Sequence, residues 1–149
     1  MAQLQKYKED FVLLLESGFI AASQTDEDAA VKLFRAAQTL QPENVMPKVG
    51  FGYIHLLKLE LNQACKKFEE VLRVEPHNEM ARAMLGLSTS LTVKDAEKGE
   101  KILQEAMKNT KDPTIKNMAS TSIDFVEKFV KKQPTPVQGQ PKTQKKKGK

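Results

Sequence analysis

His55, Cys65 and His77 are the residues of this 149-residue chain best suited to chemistry. A metal site needs three or four ligands at short fixed spacings, and a thiol nucleophile needs a base beside it. Neither condition is met. His77 stands between Pro76 and Asn78 in "EPHNE", a turn sequence that leaves it facing solvent. Cys65 follows Ala64 in an amphipathic run and reads as a small buried hydrophobe. His55, within "GFGYIHLL" (50–57), reads as a packing residue with a polar edge. Carboxylates gather in "TDED" (25–28) and "FEE" (68–70). The first opens a helix, where acids complement the macrodipole, and the second lies on a helix's solvent side. With no glycine-rich phosphate loop, Ser-His-Asp ordering or zinc-hydrolase motif, we expect no enzyme, no metal and no cofactor.

The elements that hold these residues follow from a period. Gly18, Gly52 and Gly86 are 34 residues apart, as are Ala30 and Ala64, Phe34 and Phe68, Pro42 and Pro76, and Asn44 and Asn78. Five coincidences at one spacing mark stacked helical hairpins. Each has a mechanical reason. A mid-helix glycine costs roughly 1 kcal/mol relative to alanine, so it implies a partner helix too close for a side chain. The alanine is a second small contact, and the phenylalanine one turn later fills the space between helices. Proline ends a helix and the asparagine after it caps the next; Pro47 falls in a first turn, where its missing N–H does no harm. The spacing predicts helices over 4–23, 26–40, 45–59, 62–74, 79–91, 95–109 and 114–132. In the last, Ile115, Met118, Ile123, Val126, Phe129 and Val130 form one apolar stripe, as expected of a capping helix.

Composition sets the outer limits. The length suits one domain with a single core, and no run of eighteen apolar residues offers a membrane span. The opening "MAQLQKYKEDF" lacks the basic and apolar regions of a signal peptide, and a single cysteine suits a reducing compartment, so a cytoplasmic protein is expected. The formal charge of +5 is local: seven lysines and no acids lie in 131–149, leaving 17 basic against 19 acidic groups before them. The segment 133–149, "QPTPVQGQPKTQKKKGK", cannot bury enough apolar area to offset the entropy of ordering and is expected to be disordered. Without aromatic residues for base stacking or a lipidation motif, it reads as a solubilising tail with no specific nucleic-acid partner.

The pattern resembles the tetratricopeptide repeat (TPR): a small residue in helix A, then A-x3-F, then a closing proline, at Gly18, Ala30, Phe34, Pro42 and again at Gly52, Ala64, Phe68, Pro76. In the third copy Gly86 keeps register but Lys98, Ile102 and Thr110 hold the next places. One inserted residue in "TVKDAEK" restores Gly99, Leu103 and Ala106 against Ala30, Phe34 and Ala37. The resemblance implies an all-α, right-handed TPR-like solenoid of three helical hairpins with a C-terminal capping helix over residues 1–132. It also implies a concave groove lined from helix A: Val12, Leu15, Phe19 and Ala22 in repeat one; Met46, Val49, Tyr53 and Leu56 in repeat two; Met80, Ala83, Leu87 and Ser90 in repeat three. Eleven of the twelve are apolar or aromatic. Leu15, Phe19, Gly50, Met80 and Met84 stand where carboxylate-clamping TPR proteins carry basic residues and asparagine, so the groove suits an amphipathic helix or apolar segment.

Three-repeat proteins of this kind are similar to the cytoplasmic chaperones of bacterial type III secretion. The needle-subunit branch, which the early start of the pattern favours, holds the polymerising helix of a secreted subunit, often with a small helical co-chaperone. The alternatives are a translocator chaperone and a generic TPR adaptor. A groove filled by the protein's own C-terminal helix, its N-terminal segment or a second copy is the remaining reading.

Overall fold

The computed structural model describes residues 2–132, and the tail expected to be disordered, 133–149, lies outside the described residues. Among the described residues there are seven α-helices and no strand: α1 (Ala2–Ser23), α2 (Glu27–Leu40), α3 (Met46–Leu57), α4 (Leu61–Val74), α5 (Glu79–Ser90), α6 (Ala96–Asn109) and α7 (Pro113–Phe125). All seven expected helices form. The last ends differently: α7 passes into a π-helical turn, Val126–Val130, closed by Lys131 N–H donating to the Val126 carbonyl.

The helix ends obey the same period as the glycines. Asn78 Oδ1 accepts from Ala81 N–H at 2.9 Å and Asn44 Oδ1 from Met46 N–H at 2.9 Å, meeting N–H groups that a helix start leaves unpaired. Each asparagine amide also donates three residues back, to Glu75 Oε2 and Gln41 Oε1. Asp26 and Asp112 cap α2 and α7 in the same way, through Ala29 N–H and Thr114 N–H. Within the first two hairpins the turn passes through a left-handed residue, Thr25 (φ 64°) and Leu59 (φ 57°), again 34 apart. The third hairpin has a 3-10 turn, Val93–Asp95, in its place. That is where the inserted residue goes.

Consecutive helices pair as α1 with α2, α3 with α4 and α5 with α6, and each hairpin packs on the next, with α7 laid against α5 and α6. The pairs are antiparallel: in the first, Ala22 meets Ala30 and Phe34 at one end while Phe11 meets Ala37 at the other. Phe34, Phe68 and Leu103 are fully buried. A Cβ on Gly18 would lie 2.6 Å from the Phe34 ring, and one on Gly52 would lie 2.6 Å from the Phe68 ring. Leu103 sits against Gly86 as the one-residue shift requires. Gly99 is closed by the backbone of Ser90, so its lack of a side chain brings α6 against α5.

The stripe expected on the last helix needs correction. Ile115, Ala119, Ser122, Val126 and Val130 are buried, Met118 and Ile123 are half-buried, and Phe129 is exposed, stacked on exposed Phe125 at 5.0 Å. The cause is the π turn, whose wider pitch puts Val126 and Val130 on one face and swings Phe129 outward. Beside it, the Lys131 ammonium pairs with Glu100 and Glu127, which ties the end of the described chain to α6.

Candidate partner-binding groove

The odd-numbered helices present one face side by side, and the structure separates the expected lining residues into two sets. Phe19, Met46, Tyr53 and Met80 are half-buried and converge on a cavity of about 450 Å³, together with Ile20, Ser23, Met84 and Met118. Leu87 is half-buried against the α3–α5 core, and Val12 is exposed at the open end of α1. In contrast, Leu15, Ala22, Val49, Leu56 and Ala83 are buried and offer a partner no surface. Ser90, the polar member of the twelve, is also buried, its hydroxyl donating to the Leu87 carbonyl.

The reason is helical geometry. The buried set holds the fifth and twelfth places of each repeat, seven residues apart and therefore on one line of the helix, and that line turns into the hairpin interior. Leu15 packs with Phe11 and Ala37, Ala22 with Ala30 and Phe34, and Ala83 with Ala106 and Ile115. The second and ninth places form the neighbouring line, and these carry the accessible residues. Met118 was missed because α7 read as a lid. It lies 34 residues after Met84, and that register was the available signal.

The cavity wall is tied to the core through its aromatic rings. Phe19 meets Phe34 edge-on at 5.0 Å and Tyr53 at 5.6 Å, so these two rings are held rigidly while the methionines beside them keep three rotatable bonds each. Four of the eight lining residues are methionine and only Ser23 is polar, so the site offers shape and apolar area rather than charge.

The polar candidates lie elsewhere. His55 Nδ1 is 2.6 Å from Glu60 Oε2, and Lys58 bridges Glu60 (3.2 Å) and Glu27 (3.1 Å) across two hairpin turns. The hydrogen bond to His55, then that to Lys58, holds the Glu60 carboxyl below its ordinary range; hydrogen bonds to Glu27 and Glu60 raise Lys58. Cys65 is half-buried with its sulfur 3.8 Å from the Thr89 hydroxyl, and burial pushes its thiol upward. His77 is exposed beside Arg82, whose guanidinium donates to the Pro76 carbonyl at 2.6 Å. Among the described residues no three His, Cys, Asp or Glu side chains gather as a metal site would require. No protein-family model matches the chain, and the comparison with curated proteins gives no match.

Proposed function

We propose that this protein is a TPR-like solenoid that acts as a cytoplasmic chaperone of type III secretion, holding an apolar amphipathic helix of a needle subunit so that it does not polymerise early. The observation that carries this reading is the methionine-lined cavity between Phe19, Met46, Tyr53, Met80, Met84 and Met118. A client helix laid there covers apolar side chains worth roughly 1.5–3 kcal/mol each when fully buried, less the costs of association and ordering. Methionine side chains adapt to a client that must also be released. The reading includes no catalytic step and no cofactor, and it admits a small helical co-chaperone. No helix among the described residues is long and apolar enough to cross a membrane.

A second reading, a chaperone of hydrophobic translocators, draws on the projecting start of α1, where residues 2–10 are all exposed. Co-expression with a needle subunit and with a translocator, followed by intact-complex mass measurement, separates the two. Tyr53→Asp combined with Met80→Asp should abolish retention of the client. Retention by a folded double variant would place the client elsewhere, and a protein that holds neither client would defeat both readings.

A further inference from the structure

Leu13, Glu16, Ser17 and Ile20 lie at i, i+3, i+4 and i+7 and so share one face of α1. Their counterparts at successive 34-residue steps are Pro47, Gly50, Phe51 and Ile54 in α3; Ala81, Met84, Leu85 and Ser88 in α5; and Ile115, Met118, Ala119 and Ser122 in α7. All twelve counterparts are buried or half-buried, because in each later helix this face packs on the hairpin before it. Gly50 admits the Phe34 ring, Phe51 meets that ring edge-on at 5.8 Å, and Ile54 packs in the same cluster. On α1 the same stripe is open: Leu13 is 62% exposed and Ile20 56%.

We propose that this stripe is an interface with a second copy of the chain, the two α1 helices lying antiparallel about a twofold axis between Glu16 and Ser17. The stripe is complementary to its own reverse. Leu13 of one copy meets Ile20 of the other, twice, and the Ser17 hydroxyl of each copy donates to the Glu16 carboxylate opposite. Lys6, three and seven residues ahead of Glu9 and Leu13 on the same face, reaches past the end of the other α1 to the acidic run Asp26, Glu27, Asp28. A parallel pairing would set Glu16 against Glu16 and Lys6 against Lys6, so charge selects the antiparallel one. The exposed first turns of α1, residues 2–10, then run alongside the second copy rather than into solvent.

Sedimentation equilibrium on the full chain tests the pairing. The wild type should dimerise in the micromolar range, and Leu13→Asp, at an exposed position, should raise the dissociation constant at least about tenfold with helix content and melting temperature unchanged. Lys6→Glu should weaken it in the same direction by less. In a Cys65→Ser background, an equal mixture of Leu13→Cys and Ile20→Cys chains should form a disulfide-linked pair that neither forms alone. A wild type that stays monomeric to about 100 µM overturns the proposal. So does a Leu13→Asp chain that still dimerises, cross-linking of Leu13→Cys with itself, or a different protein found bound to this face of a monomeric chain. Leu13 does not line the methionine cavity, so Leu13→Asp should leave client capture intact and Tyr53→Asp should leave the dimer intact. The two readings therefore fail separately.

Discussion

The Phe34 ring fills the space that a side chain on Gly50 would need: a Cβ there would lie 2.5 Å from ring carbon Cε1. The same ring closes over Gly18 from the first hairpin, so one phenylalanine joins α1, α2 and α3. Because Phe34 is fully buried, the ring has nowhere to retreat.

Alanine at these glycines therefore sets two effects against each other. Helix propensity favours alanine by roughly 1 kcal/mol, and overpacking costs about 1–3 kcal/mol. Gly50→Ala and Gly18→Ala should be destabilised by about 1–2 kcal/mol net in urea titrations. Gly99→Ala should lose most, because its obstacle is the Ser90 backbone. Gly86→Ala, whose nearest neighbours lie at 3.0–3.1 Å, should stay within about 1 kcal/mol of wild type. Equal losses at Gly99 and Gly86 would contradict the packing described.

Phe68→Ala should cost about 3–5 kcal/mol and Leu103→Ala about 2–5 kcal/mol, since both side chains are fully buried and leave cavities between hairpins. Denaturant midpoints read the loss. A Leu103→Ala chain as stable as wild type would show that the one-residue shift in the third hairpin does not place Leu103 in the core.

Asn78→Ala removes the acceptor for Ala81 N–H and should cost about 1 kcal/mol, whereas Asn78→Gly should cost only a few tenths. Thermal melts on the two variants suffice. If glycine proves no milder than alanine, the asparagine's role is something other than capping.

Acid should loosen the hairpin turns. The folded Glu60 carboxyl titrates below its unfolded value, so its contribution is present at neutral pH and is lost as pH falls from about 4.5 through the depressed folded value. Lys58 titrates above its unfolded 10.5, so its contribution holds below that value and disappears as pH rises through the raised one. Glu60→Gln should flatten the acid side of the melting-temperature profile without removing it, because Glu127, also held low by Lys131, titrates in the same direction. An acid limb unchanged in Glu60→Gln would rule the network out as a source of the pH dependence.

Lys131→Ala should release the π turn. It leaves Glu100 buried without its cation, with one carboxylate oxygen already unpaired. Hydrogen exchange should speed up first at Val126–Val130, before α5 and α6 lose protection. Exchange that accelerates evenly over all seven helices would show that the pair is not local in its effect.

Much of this was readable from residue types. The 34-residue step named the close contacts of Gly18, Gly52 and Gly86, and a single insertion placed Leu103 and Gly99 correctly in the third hairpin. What escaped depends on rotation about a helix axis. Leu15, Val49 and Ala83 are as apolar as Phe19, Tyr53 and Met80, and composition does not say which line of the helix turns inward. Phe129 escaped because a single π turn changes the face on which every later residue emerges.

The sequence by itself determined the helices, their caps and the repeat register, because those rest on local backbone hydrogen bonds and on residue types that recur at a fixed step. Only the tertiary structure decided which apolar residues are spent on the core and which remain accessible. Burial depends on whether a neighbouring hairpin is present to cover them: Ile54 is buried under Phe34, while Ile20, its equivalent 34 residues earlier, is left open.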